Sequence, residues 1–220
     1  MHKTTVAVMA RAPLPGLCKT RLAASIGEDA AAVLYRAMLL DTLDALATCG
    51  ADRLVVMAAP EHDGVVRLTS IVPKDWEVRA QHGGDLGARL LHALELLNGD
   101  AHGVTALCSS ESPLIPVDAI AEALPTLDEE SALLGPGADG GCYLLSVSRA
   151  DPRLFQGIPW KTRDVADHTR TRLSDCGYDV WELPEAIDVD VPSDIELLRE
   201  ALYDEPGRAW RCAELLGALR

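Results

Sequence analysis

Arg11, Lys19 and Arg21 stand close together in Arg11-Ala-Pro-Leu-Pro-Gly-Leu-Cys-Lys-Thr-Arg-Leu22. Residues 1–27 hold these three and Lys3 and no acid at all, whereas the whole chain sets 20 Lys+Arg against 34 Asp+Glu for a net charge of −14. Any one Lys or Arg is ordinarily a solvated surface charge. Three in an acid-free segment of an acidic protein, directly after the apolar run Val6–Ala10, point instead to an anion. Pro13 and Gly16 predict a loop whose backbone N–H groups face a phosphate, and Lys19-Thr20-Arg21 predicts the opening of a helix that completes the cage with cations. The spacing is not that of a P-loop, because Gly16 falls two residues too early for a Gly-Lys-Thr run and no glycine precedes it.

A phosphate held inside an acidic protein calls for a hard divalent cation, and such cations take carboxylate oxygens. Three acidic positions follow apolar runs or turns. Glu111 lies in Cys108-Ser-Ser-Glu-Ser-Pro113, right after the apolar stretch ending at Leu107. Asp139 lies in Gly135-Pro-Gly-Ala-Asp-Gly-Gly141, a glycine-rich loop that lets backbone approach a ligand, although Asp139-Gly140 is also a common turn pair. Asp188 and Asp190 are two residues apart and share one face of an extended segment, where like charges repel unless a cation or hydrogen-bond donors lie between them. Asp194, next in line, reads more simply as an acid in the first turn of a helix. His62, His82, His92, His102 and His168 show no metal-ligand spacing and read as surface or core residues.

These residues need elements to carry them. Strand-like and helix-like segments alternate, the pattern of an α/β sheet covered by helices. Expected strands are residues 4–10, 53–59, 104–109, 131–134, 142–147 and 179–183, several of them continuous apolar runs of the kind buried on both faces. Helical spacing of apolar residues (Val33, Ala37, Leu40, Leu43, Leu46) predicts a helix over 28–48, a second follows over 85–97, and Pro192-Ser193-Asp194 starts a third. No repeat or linker interrupts the chain, so residues 1–204 read as one domain with a helical extension over 205–220.

Composition narrows the function classes. At 220 residues, with 48% hydrophobic and 25% charged residues, the chain is globular and long enough for a full core. Its negative charge and nine Phe, Trp and Tyr residues argue against nucleic-acid binding. No stretch approaches 18 uncharged apolar residues, and the six scattered cysteines form no C-x-x-C pair. A cytoplasmic protein with reduced thiols and no membrane partner is expected.

In order, Arg11-Ala-Pro-x-Pro-Gly-x-x-Lys-Thr-Arg-Leu22, Gln81-x-Gly-Gly-Asp-Leu-Gly-x-Arg89, Ser110-x-Ser-Pro113, Gly135-Pro-x-x-Asp-Gly-Gly-x-Tyr143, Trp160-x-Thr162 and Asp188-Val-Asp-x-Pro-x-Asp194 resemble the DUF2064 family. Its members are GT-A-fold proteins described as glycosyltransferases, some linked to arsenosugar biosynthesis, and are related to the phospholactate guanylyltransferase of coenzyme F420 synthesis. The resemblance implies a single-domain nucleotide-diphospho-sugar transferase fold, a three-layer sandwich on a mostly parallel mixed sheet. It implies that Arg11, Pro13, Gly16, Lys19, Thr20, Arg21 and Ser110 surround the nucleotide phosphates and that Gln81, Gly84, Asp85, Gly87 and Arg89 lie near the base or ribose. Asp139, Gly140, Gly141, Trp160 and Thr162 would line the acceptor side, with Asp139 as base or hydroxyl anchor, and Glu111, Asp188 and Asp190 would hold Mg²⁺ or Mn²⁺.

Two positions depart from the family pattern. Glu111 stands where the family has aspartate, moving the carboxylate outward by one methylene, and Leu114 replaces a second acid; Cys142 stands where a tyrosine is usual. Three readings follow: sugar transfer from a nucleotide-diphosphate sugar to a small acceptor, which leads; nucleotidyl transfer from a nucleoside triphosphate to a phosphorylated small molecule; and a catalytically silent nucleotide-binding protein.

Overall fold

The computed structural model describes residues 3–98, 103–160, 162–205 and 207–217. Its seven strands are β1 (Lys3–Arg11), β2 (Arg53–Ala59), β3 (Glu77–Ala80), β4 (Gly103–Ser109), β5 (Ser131–Pro136), β6 (Cys142–Val147) and β7 (Asp179–Glu182), in the sheet order β3-β2-β1-β4-β6-β5-β7. All neighbours pair in parallel except at β6, which runs antiparallel to both β4 and β5. The helices are α1 (Thr20–Ile26), α2 (Glu28–Leu46), α3 (Glu61–Thr69), α4 (Leu86–Asn98), α5 (Val117–Ala123), α6 (Val165–Asp175), α7 (Pro192–Asp204) and α8 (Trp210–Leu215). This is a mixed α/β domain built on one seven-stranded sheet.

Strand β1 shows why the sheet lies in the middle. Val6, Val8 and Ala10 point into one core with Leu39, Leu43 and Leu46 of α2, while Ala7 points into the other with Met57, Leu94 of α4 and Leu107. Successive side chains of a strand face opposite ways, so an unbroken apolar run needs helices on both sides. A third cluster joins Leu22 of α1, Tyr35 and Met38 of α2, Leu198 of α7 and Cys212 of α8.

The differences from expectation are local. Helix α2 ends at Leu46 and not 48, Leu183 lies just outside β7, and α3, α5, α6 and β3 carry no sequence signal singled out above. In the expected C-terminal extension, α8 is six residues long, and Cys212 and Ala213 are buried in the same cluster as Tyr35. All six cysteines are free thiols. No helix among the described residues is long and apolar enough to cross a membrane. His102 lies outside the described residues; His82 lies edge-on to His92, with ring centroids 4.6 Å apart, and contacts Glu61.

Candidate active site

Four side chains from three distant segments meet beyond the carboxyl ends of β1 and β4, the side of an open α/β sheet where ligands bind. The Lys19 ammonium lies 2.5 Å from Glu111 Oε2 and 2.8 Å from Asp190 Oδ1. Carboxylate oxygens of Glu111, Asp188 and Asp190 all lie within 4.8 Å of one another. Arg21 stands at the rim and reaches the other oxygen of Asp190 at 3.5 Å.

The chain positions each of them by a short argument. Gly16 supplies the positive φ (74°) that turns the loop after β1, and Lys19, at the start of α1, is itself in the left-handed region at φ 46°, uncommon for a residue with a side chain. Glu111 follows β4, and its carbonyl accepts from the Val189 N–H at 3.3 Å, tying the β4 loop to the segment with both aspartates. Ser112, fully buried, donates to Asp188 Oδ1 at 3.3 Å. Asp194 Oδ2 accepts from the backbone N–H groups of Asp190 and Val191 at 2.8 Å each, so it holds the Asp190 segment through its backbone while it caps α7.

Tyr35 is a residue that the sequence reading missed. Its hydroxyl, buried on α2, accepts from the Arg11 N–H at 2.9 Å and shares a 2.9 Å hydrogen bond with Ser110 Oγ, joining the end of β1 to the loop after β4. Only the need of a buried phenol for a partner hinted at it.

Charge is crowded here. Burial alone would favour the neutral form of Lys19, but Glu111, Asp188 and Asp190 outweigh it and raise its pKa above the ordinary lysine value. Burial first, then the charges of Glu111, Asp190 and Asp139, push the Asp188 carboxyl up to about 7, with Lys19 opposing them. A carboxyl whose folded pKa exceeds its unfolded value costs stability as pH rises: the cost is absent below 3.8 and complete above about 7. Asp188→Asn is therefore expected to match the wild type at pH 4. At pH 8 without divalent cations it should be the more stable of the two and melt several degrees higher. Thermal scans across that range check this, and parallel pH profiles for the two proteins would refute it.

The remaining expected residues fall into two groups. Gly140 (φ 86°) and Gly141 form the turn that the resemblance placed on the acceptor side, and Asp139, exposed, accepts the Gly141 N–H at 2.9 Å while lying close enough to act on Asp188. Arg11, Thr20 and Thr162 are exposed, Pro13 is half-buried, and Thr162 donates to the Pro159 carbonyl at 2.9 Å. Others are also tied into the scaffold. The Gln81 amide is buried and donates to the carbonyls of Ala10 (3.1 Å) and Met57 (2.6 Å), pinning the ends of β1 and β2. Asp85 caps α4 through the Ala88 N–H at 2.8 Å, and Arg89 turns back to the Gly83 carbonyl at 3.1 Å. Gly87 makes room for Trp160: a Cβ there would come within 3.2 Å of both the indole nitrogen and Phe155. Gly84 faces open space. A cavity of about 350 Å³ at the opposite ends of the strands, lined by Lys3, Asp52, Arg53 and Gly103, has no part in this cluster.

Three carboxylate oxygen donors suit a hard cation such as Mg²⁺ or Mn²⁺. The longer arm of Glu111 brings its carboxylate into the cluster, against Lys19, so the departure from aspartate does not empty that corner.

The chain resembles known proteins in sequence and in fold. A family model described as an uncharacterized protein conserved in bacteria (DUF2064) matches residues 42–162. The 2-phospho-L-lactate guanylyltransferase of Haloarcula marismortui is 27% identical over 194 residues, covering 87% of this chain and 83% of that protein. A crystal structure from Desulfovibrio desulfuricans G20, described as a nucleotide-diphospho-sugar transferase, superposes with a TM-score of 0.86 at 29% identity, covering 98% of this chain and 97% of that one. A nucleotidyl transferase from Methanothermobacter shares the fold at a TM-score of 0.60 and 16% identity, covering 92% and 99%.

Proposed function

The chain belongs to the DUF2064 family, and on that footing we propose that it is a nucleotidyltransferase. It would join a nucleoside monophosphate unit from a nucleoside triphosphate to a phosphorylated small-molecule acceptor. More broadly, this is an enzyme of the nucleotidyl- and nucleotide-sugar-transferase class.

The observation that carries the finer reading is the meeting of Lys19 and Arg21 on Asp190 within the carboxylate cluster. Two cations beside a hard-cation site fit a triphosphate, whose charge exceeds that of the diphosphate in a nucleotide sugar. The Haloarcula relative supports the same choice, and its name makes GTP and 2-phospho-L-lactate the first pair to test.

The chemistry asked of this chain is electrostatic and positional. An oxygen of the acceptor phosphate attacks the α-phosphorus, the bond from that phosphorus to the bridging α–β oxygen breaks, and pyrophosphate leaves as the new anhydride forms. Lys19 and Arg21 would neutralise charge growing on the departing pyrophosphate. Glu111, Asp188 and Asp190 would hold the divalent cation, which when bound supplies Lewis-acid screening of the phosphates. Asp139 and the Gly140-Gly141 turn would face the acceptor, and Ser110 and the loop around Gly16 would lie along the nucleotide.

Phosphorus NMR of reactions containing one nucleoside triphosphate, Mg²⁺ or Mn²⁺ and a phosphorylated hydroxy acid is expected to show pyrophosphate and a new dinucleotide-like phosphoanhydride. Sugar transfer is the second reading, favoured by the Desulfovibrio neighbour. A nucleoside diphosphate released from a nucleotide sugar, with no pyrophosphate from any triphosphate, would establish it and overturn the first.

A further inference from the structure

The Lys19 ammonium sits against two of the three carboxylates that a divalent cation would take, so the two cations compete for them. Its side chain is 1% exposed, and it meets Glu111 and Asp190 at 2.5 and 2.8 Å. A lone pair engaged by an N–H group is not free for coordination, and two cations a few ångströms apart in a partly buried cluster repel strongly. The backbone adds a second sign: Lys19 is held at φ 46° and ψ 47°, a strained conformation for a residue with a Cβ, with no side-chain cap on α1 to fix it there.

We infer that Lys19 is a displaceable internal counter-ion, seated on the carboxylates when the site is empty and moved off them when phosphate arrives, so that the cluster accepts its divalent cation together with the nucleotide and poorly without it. This rests on the reading of Glu111, Asp188 and Asp190 as the cation site, and it goes further by assigning Lys19 an action on those acids as well as on phosphate. Arg21 does not share the role, because its side chain is 59% exposed and touches only the outer oxygen of Asp190. Binding of the two ligands is then coupled, and the coupling is reciprocal.

The test measures metal binding, with no reaction. Mn²⁺ is titrated into nucleotide-free protein at pH 8 and the free ion is read by electron paramagnetic resonance, for the wild type, Lys19→Met and Arg21→Met. Lys19→Met is expected to bind Mn²⁺ about 10-fold or more tightly than the wild type, a gain produced by deleting a residue of the site, and Arg21→Met is expected to change by less than about 3-fold. Equal or weaker binding by Lys19→Met overturns the inference, as does an equal gain in Arg21→Met, which would make the effect one of general charge. Wild-type protein gives a check independent of any variant's folding. Saturating Mn²⁺ is expected to raise the reaction of Lys19 with a small amine-acylating reagent, read by peptide mass spectrometry, and unchanged protection at saturation overturns the inference. If the wild type and Lys19→Met bind Mn²⁺ equally well, the cation site stands and only the role of Lys19 falls. If neither binds Mn²⁺, both fall, while pyrophosphate release is judged separately.

Discussion

Asp190→Asn is expected to lower turnover by about 10²–10³-fold, the usual effect of deleting one preorganised charge from a phosphoryl-transfer or acyl-transfer site. Asp190 is the group on which everything in the cluster converges: Lys19 meets one oxygen at 2.8 Å, Arg21 the other at 3.5 Å, and both Glu111 and Asp188 lie within coordinating range. Replacing it by an amide would remove one of the three carboxylates proposed to hold the cation and the carboxylate oxygen that Arg21 reaches. The fold should survive, because the backbone N–H of residue 190 keeps its bond to Asp194 and Lys19 keeps Glu111. Asp194→Asn makes a useful contrast, since Asp194 acts on Asp190 only through that backbone; about 10-fold is expected there. Steady-state kinetics at saturating divalent cation, with circular dichroism to confirm folding, decide it. Turnover of Asp190→Asn within about threefold of the wild type would remove Asp190 from the chemistry.

How much of this was legible in the sequence depended on whether the signal was local. β1 could be read because both of its faces are buried, leaving an uninterrupted apolar run. β3 could not: Glu77-Val-Arg-Ala80 is a short, half-exposed edge strand, and its charges serve pairing, with Arg53 and Glu77 joined at 2.7 Å. Edge strands are commonly polar and short, which hides them from a hydrophobicity pattern. At the site, the types of Lys19, Glu111, Asp188 and Asp190 announced an anion and cation centre, because each breaks an apolar or acid-free context. Their arrangement was hidden. Lys19 and Asp190 are 171 positions apart, and nothing local says that the lysine turns inward onto acids when the loop pattern suggests an arm extended toward phosphate. Gln81, Asp85, Gly87 and Arg89 show the complementary difficulty, for a motif records that residues matter without showing that Gln81 also pins strand ends, that Asp85 caps a helix or that Gly87 makes room for an indole. Tyr35 was invisible for a third reason, since an aromatic inside a helical apolar stripe looks like core until its hydroxyl is seen to join a strand end to a loop.

Asp41→Ala is expected to destabilise the protein by about 2–4 kcal/mol and to loosen α8. The Asp41 carboxylate is fully buried on α2 and accepts from the Cys212 N–H at 2.8 Å, the Arg211 N–H at 3.3 Å and the Arg211 guanidinium at 2.9 Å. It thus satisfies N–H groups at the start of α8 that the helix cannot satisfy itself. Breaking a buried charged pair costs about 3–5 kcal/mol, but Arg211 is a quarter exposed and keeps Asp44 at 2.6 Å, so the lower part of that range applies. Cys212 reports the result directly. It is 0% exposed, packed under α8, and a thiol reagent reaches it only when the helix lifts. A drop of about 3 kcal/mol in the opening free energy should speed its labelling by roughly 10²-fold. The effect reaches the active site through packing: α8 shares its core cluster with Leu198 of α7 and Tyr35 of α2, and α7 begins with the Asp194 cap on the Asp190 backbone. Weakened nucleotide-dependent Mn²⁺ binding should therefore accompany faster Cys212 labelling in this variant. Labelling at the wild-type rate would show instead that apolar contacts alone keep α8 seated.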